Sequence, residues 1–277
     1  MKLNDFINVM DGIAPRELAM DWDNPGLLIG TEKQDIKKVL VALDCSMATA
    51  KEAVEWGADL MLTHHPVFFR AVKRILPDDP ETAAPYILLR SGIGLFAAHT
   101  NLDAADGGVN DCLAGVFSLE NVEKLPPEGL GRIGTLPKDM TFGELARLSE
   151  KELNTRVRIT GDANARIHRL AMIGGGGAEE LFDAKSAGAD AYITGEMKHH
   201  LAIQAEFIGL NVIEAGHYET ERIVLPRLIE RLQREANDVQ YRLTLSESPC
   251  LRGIQAFPHD HYTEVEGYDK NQRSLAV

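Results

Sequence analysis

Residues 36–65, IKKVLVALDCSMATAKEAVEWGADLMLTHH, align without a gap on residues 167–196, IHRLAMIGGGGAEELFDAKSAGADAYITGE. Ile36 meets Ile167, Lys38 meets Arg169, and Ala53 meets Ala184. Gly57-Ala58-Asp59 meets Gly188-Ala189-Asp190, and Thr63 meets Thr194. Scattered matches arise by chance, but a shared Gly-Ala-Asp followed four residues later by Thr points to an internal duplication. Each copy begins with an apolar run of strand length, residues 39–43 or 170–173, as expected for strands covered on both faces. Turn residues follow at 44–46 and 174–177. Segments of helix length come next, 47–56 and 178–187, with Gly57 and Gly188 placed as C-terminal stops. Second strands are expected at 60–63 and 191–194. One β-α-β unit per copy implies a parallel sheet.

The pattern continues outward after a shift in spacing. Residues 87–90 and 201–207 read as second helices, each followed by glycine and a third apolar strand. Those strands stop at His99-Thr100-Asn101-Leu102-Asp103 and at His217-Tyr218-Glu219-Thr220-Glu221, which share the spacing His-x-x-x-acid. Between the copies Pro126-Pro127-Glu128-Gly129 reads as a linker, continued by Gly131-Arg132-Ile133-Gly134. Thr141-Phe142-Gly143-Glu144 reads as a capping box opening a helix to about Leu153. Asn4 is placed to cap an N-terminal helix through Met10, and Asn24-Pro25-Gly26 to turn the chain before a strand at 27–29. An amphipathic helix is expected from 225 to about 234 and a strand at 239–245. The expected fold is α/β, with two similar duplicated α/β domains and the metal site between them. The boundaries are 1–125, 126–248 and a C-terminal tail, 249–277.

Composition narrows the function classes. The 277 residues carry 44% hydrophobic and 26% charged residues, near the averages for soluble globular domains. No apolar run approaches the length of a spanning helix, so no membrane partner is expected. The net charge of −13 argues against binding nucleic acid through phosphate neutralisation. Cys45, Cys112 and Cys250 lack a CxxC spacing and read as free thiols, which fits a reducing, cytoplasmic compartment.

The expected chemistry lies at the strand ends. His64 and His65 close the run 60–63 and point in different directions, which suits two neighbouring metals better than one. With the two His-x-x-x-acid segments they make a set of N and O donors sufficient for a pair of divalent ions with open positions for water. Glu221 is the candidate bridge, Asp103 serves one ion, and Glu219 is directed elsewhere. His99 is read as a ligand, a partner of the ligands or a proton carrier, with the last two ranked above the first. The second copy replaces His64-His65 with Gly195-Glu196, so a single cluster is expected; Glu196 either faces the pocket as a base or is a solvated, salt-bridged residue. His199 and His200 are read as surface residues, and His259-Asp260-His261 as a solvated tail cluster. The glycines at 174–177 form a tight turn or a phosphate cradle; they match neither a P-loop nor a dinucleotide fingerprint. No G-x-S-x-G elbow is present.

Several of these segments, in order, resemble a known family. They are Trp22-Asp23-Asn24-Pro25-Gly26-Leu27, Thr63-His64-His65-Pro66, His99-Thr100-Asn101-Leu102-Asp103, Thr194-Gly195-Glu196 and Ala215-Gly216-His217-Tyr218-Glu219-Thr220-Glu221. The family is that of the dinuclear-metal-centre hexameric proteins, called interacting-factor-three-like or GTP cyclohydrolase I type 2 homologues. The resemblance implies metal ligands at His64, His65, Asp103, His217 and Glu221, two divalent ions per subunit (Zn, Fe or Mn), and a toroidal homohexamer. It implies a metal-dependent hydrolase acting on a small-molecule substrate, a nucleotide or other phosphorylated compound, with opening of the GTP imidazole ring as the named reaction. His99 and Glu196 are then the candidates for proton transfer. The alternative is a non-catalytic assembly that binds or handles metal.

Overall fold

The apolar runs become strands because helices cover them on both sides. In the computed structural model, which describes residues 1–30 and 34–244, α1 (Leu3–Ile13) leads to β1 (Gly26–Ile29) and β2 (Lys38–Ala42). There follow α2 (Met47–Trp56), β3 (Leu60–Thr63), α3 (Ala83–Arg90), β4 (Gly94–Ala97), α4 (Thr100–Ala104) and α5 (Val109–Val116). The chain continues through β5 (Glu120–Lys124), β6 (Arg132–Thr141), α6 (Phe142–Leu153), β7 (Arg158–Thr160) and β8 (Arg166–Ile173). After a short 3-10 turn come α7 (Leu181–Ser186), β9 (Ala191–Thr194), α8 (His199–Phe207), β10 (Asn211–Glu214), α9 (His217–Glu221), α10 (Val224–Glu235) and β11 (Gln240–Leu243). The tail at 249–277, with Cys250 and His259-Asp260-His261, lies outside the described residues, as does the final position of the strand expected at 239–245.

Two sheets result, ordered β1-β4-β3-β2-β11 and β5-β6-β8-β9-β10-β7. The parallel trio β2-β3-β4 is repeated by β8-β9-β10. The repetition extends one strand further than the sequence alignment does, since β1 runs antiparallel beside β4 and β7 runs antiparallel beside β10. At the other edge the copies differ. β11 adds to β2 in parallel, whereas β6 adds to β8 antiparallel and carries β5.

Alternation along the strands divides each core in two. Val39, Val41, Leu60 and Leu62 pack against Phe6 and Met10 of α1 and Leu228 and Leu232 of α10. Leu40, Met61 and Leu95 face the other way, onto Ala50 and Ala53 of α2 and Leu88 of α3. In the second sheet Leu170, Met172 and Ile193 meet Phe142 and Leu145 of α6, while Ala171, Tyr192 and Val212 meet Leu181, Ala184 and Ala205. The helix α5 belongs to both layers: Val109 enters the first core, and Leu113 and Ala114 enter the second.

Two local expectations change. The cap of α1 is Lys2 rather than Asn4, and the helix runs on to Ile13. Tertiary contacts decide this, because Leu3, Phe6, Met10 and Ile13 form one buried stripe and Leu3 N donates to Gln34 O at 2.8 Å. The supposed linker continuation, Gly131-Arg132-Ile133-Gly134, enters strand β6 at Arg132. Its glycines suit that packing, since a Cβ on Gly134 would lie 2.9 Å from Glu120 O of β5. Arg132, 2% exposed, pairs through Nε with Asp111 and donates through Nη2 to Ala104 O and Ala105 O, both at 3.1 Å. That buried guanidinium ties the second sheet to the turn after α4. The capping box at Thr141 and Glu144 and the left-handed Gly57 after α2 form as the sequence predicts.

Candidate metal centre

Parallel strands put their C-terminal ends on one rim, and the loops leaving β3, β4 and β10 converge there. After β3 the chain turns at once: His64 N and His65 N donate to Leu43 O at 3.1 and 3.0 Å, and Thr63 Oγ1 donates to His65 O at 2.8 Å. After β4, His99 caps α4 and Asp103 stands on its first turn, with Asp103 N bonded to His99 O at 3.0 Å. After β10, Gly216 at φ +91° opens α9, and a Cβ there would collide with the Glu219 carboxylate. Glu219 is thus held beside Gly216, and Glu221 is the carboxylate that reaches the histidines.

All five donors expected from the sequence meet. Glu221, 3% exposed, lies at the middle: Oε1 is 3.2 Å from His217 Nε2 and 3.7 Å from His64 Nε2, and Oε2 is 3.0 Å from His65 Nε2. Asp103 Oδ1 is 3.6 Å from His64 Nε2. His65, His217 and Glu221 form one group able to hold a metal ion, and His64, His65 and His99 form another.

The outer nitrogens explain which atoms face inward. His64 Nδ1 lies 2.8 Å from Ala98 O, a carbonyl that only accepts, so Nδ1 is the donor there and Nε2 faces inward. His65 Nδ1 donates to Asp44 Oδ1 at 2.7 Å, and His217 Nδ1 is 3.3 Å from Glu196 Oε1. Acceptors behind each ring leave the Nε2 atoms directed at one another and at Glu221, the arrangement that orients imidazoles for metal ligation. His64 Nε2 is buried with no hydrogen-bond partner among the described residues, and Glu221 Oε2 is buried with only His65 Nε2 beside it. Such buried polar atoms are costly unless a cation joins them, so the donor set fits divalent ions.

The electrostatics agree. Burial alone would raise the Glu221 pKa, but His217, His64 and His65 around it hold it well below the carboxylate range. Asp103 goes the other way, pushed to about 7 mainly by burial, with His64 opposing and Glu221 reinforcing the rise. Burial disfavours charge on His65, yet Asp44 and Glu221 outweigh it and bring its pKa to about 10.

His99 and Glu196 sit differently. His99 Nδ1 donates to Asp23 Oδ1 at 2.8 Å, and its ring lies edge-on to Trp22 and Phe69. Asp23 also accepts from Thr100 N at 3.0 Å and from Thr100 Oγ1 at 2.5 Å. Burial opposes it, but His99 and Thr100 bring the Asp23 pKa down to about 2. Glu196 stands at the outer nitrogen of His217 with an exposed side chain, the salt-bridged alternative rather than a base turned to the pocket. His199 and His200 open α8 and are exposed, as expected. The glycine run forms a tight turn: Gly174 N donates to Asn110 Oδ1 and Gly175 N to Thr220 Oγ1, so these two amides are committed within the protein. A Cβ on Gly175 would lie 2.0 Å from Glu221 Oε1, which makes this glycine a condition for the site.

Asp23, Asp44 and Asn110 were not legible as site residues. Asp23 sits within the Trp22 to Leu27 motif, and Asp44 is the first residue of the predicted turn at 44–46; those were the available signals. Asn110 had none. Buried on α5, it donates to Leu130 O at 2.9 Å and accepts from Gly174 N, joining the two halves beneath the cluster. A cavity of about 570 Å³ opens over the donors, walled in part by Trp22, Phe69, Leu130 and Ile173.

Fold and site define an α/β protein with a duplicated core and a candidate metal centre where the two copies meet. The chain belongs to the Duf34/NIF3 (NGG1p interacting factor 3) family, whose sequence profile matches residues 1–250. It is 38% identical over 249 residues to a GTP cyclohydrolase 1 type 2 homolog of Clostridium perfringens, covering 87% of this chain and 95% of that protein. Among solved structures, Staphylococcus aureus protein SA1388 superposes with a TM-score of 0.83 at 28% identity, covering 90% of this chain and 98% of that one. Reduced HcgD from Methanocaldococcus jannaschii gives 0.78 at 32% identity, covering 89% and 98%.

Proposed function

We propose that this protein is a metal-dependent hydrolase with a dinuclear centre, acting on a nucleotide in the manner its GTP cyclohydrolase-named relatives suggest. His64 and Asp103 would hold one ion, His65 and His217 the other, with Glu221 shared. The observation that carries this reading is the inward convergence of three Nε2 atoms on one buried carboxylate, with His64 Nε2 buried and lacking a hydrogen-bond partner among the described residues. Two divalent ions there would supply Lewis acidity to activate water and polarise the attacked carbon.

The chain's own groups supply the rest. Asp44 and Glu196 keep His65 and His217 turned inward. Asp23 fixes the ring of His99 through Nδ1, leaving its Nε2 to give or take a proton at the cavity wall. Apolar walls at Leu130 and Ile173 restrict water around the bound substrate. Assembly into a homohexamer and a cytoplasmic location complete the proposal. Free Cys45 and Cys112 support a reducing compartment, and among the described residues no helix is long and apolar enough to cross a membrane.

The test is to incubate metal-loaded protein with GTP and assay formate and a dihydroneopterin product. Neither product, together with no phosphate release from a nucleotide panel, would overturn the hydrolase reading and leave metal handling as the function.

A further inference from the structure

The metal cavity has a neighbour. A groove of about 890 Å³ shares Cys45, Val67 and Phe69 with it and runs under the loop that follows His65-Pro66. That loop places Arg70, Lys73 and Arg74 on the groove wall, all exposed. Their only ion pair among the described residues joins Arg74 Nε to Asp79 Oδ2 at 4.0 Å, the limit of such contacts. Asp79 and Glu81 line the same groove, so the three cations leave its wall with an excess of one positive charge, in a chain of net charge −13. The start of α2, a helix of ten residues, lines the same groove through Ser46 and Met47. Ser46 Oγ accepts from Thr49 N, while the positive end of the helix dipole adds to the field of the three side chains.

We propose that this groove is a polyphosphate subsite continuous with the metal cavity, so that a nucleoside triphosphate lies with its base at the metal ligands and its phosphates along Arg70, Lys73 and Arg74. The inference rests on the nucleotide-hydrolase reading and sharpens it by giving the substrate a direction. A phosphoesterase would need the opposite polarity, with phosphate on the ions and the base outside. Cations placed outside the metal cavity serve a ring-opening reaction, because they hold the phosphates away from the metals. Trp22 and Phe69, 59% and 50% exposed with ring centroids 6.4 Å apart, stand at the junction, where they offer apolar faces to the nucleoside.

Isothermal titration of the full-length protein with inorganic tripolyphosphate, metal-loaded and after chelation, tests the subsite apart from turnover. Both forms should bind, and R70E/K73E/R74E should bind roughly tenfold or more weakly, as the loss of three charge-assisted contacts implies. A charge-matched control on other exposed positions, K138E/R147E/K151E, should bind like wild type. Equal loss in both variants would reduce the effect to net charge and overturn the proposal. So would undiminished binding by R70E/K73E/R74E, or binding that vanishes on chelation, which would place the phosphates on the metals. Selective loss in R70E/K73E/R74E supports the subsite even if GTP is not hydrolysed, a result that would count against the hydrolase reading alone.

Discussion

His65 and His217, 152 residues apart in the chain, face each other with their Nε2 atoms 3.2 Å apart. Each is held from behind by a carboxylate, Asp44 or Glu196, and each is within 3.2 Å of Glu221 in front. Two imidazole nitrogens so close must share a cation, either a proton or a metal. The duplicated copies are thereby joined at one point, with a ligand from each.

Glu221 lies among His64, His65 and His217, the position proposed for a shared ligand, and Asp103 is peripheral, 3.6 Å from His64 alone. Glu221→Ala should lose both metals, whereas Asp103→Ala should weaken mainly one. Elemental analysis of the purified variants reads the stoichiometry directly. Equal retention in the two would contradict the bridge.

Asp44 acts through His65. Removing the acceptor behind Nδ1 frees the ring to rotate and to change tautomer, so Asp44→Ala should weaken the ion held by His65 and His217 by about 10–100-fold. Competition with a chromophoric chelator measures this. Asp44→Asn, which keeps an acceptor oxygen, should recover part of the loss.

Gly195 occupies the position that His64 holds in the first copy. A Cβ there would lie 2.5 Å from Gly175 O and 2.8 Å from His217 Cα, both backbone atoms. Gly195→Ala should therefore cost about 1–3 kcal/mol of stability and displace His217, lowering metal content as well. Thermal unfolding and elemental analysis together would show whether the two losses occur in the same variant.

Asp23 gives a pH signature. Its folded pKa of about 2 lies below the usual 3.8, so the stabilisation it brings is present above the usual value and is lost as pH falls through about 2. Asp23→Asn lacks that increment at every pH. Denaturant titrations should show the variant less stable than wild type near neutrality, with the gap closing toward about pH 2. A gap that stays constant with pH would mean that His99 and Thr100 do not hold the Asp23 charge.

The double β-α-β core and the five donors were readable in one dimension for a shared reason. Strands buried on both faces leave unbroken apolar runs, as at 39–43 and 170–173, and their ends leave an abrupt change to His, Asp and Glu. Glycine stops and the capping box at Thr141 are equally local. The β6 strand was not readable, because Arg132 and Gly134 look like turn residues until a second strand and the α4–α5 turn supply their partners. The roles of His99 and Glu196 were ambiguous for a related reason: two segments with the same His-x-x-x-acid spacing are used differently. In α9 both His217 and Glu221 reach the cluster, while at α4 Asp103 does so and His99, beside His64 and His65, has its Nδ1 held by Asp23, 76 residues away.

The amino-acid sequence by itself determined the duplicated α/β core and which residue types gather at its rim, since both follow from periodicity and local chemistry. Tertiary structure alone decided which nitrogen of each histidine turns inward, because that depends on acceptors such as Asp44, Ala98 and Glu196 brought up behind the rings. It also decided that the copies share one site. His65 of the first half meets His217 and Glu221 of the second, a juxtaposition that exists only once the two halves are packed together.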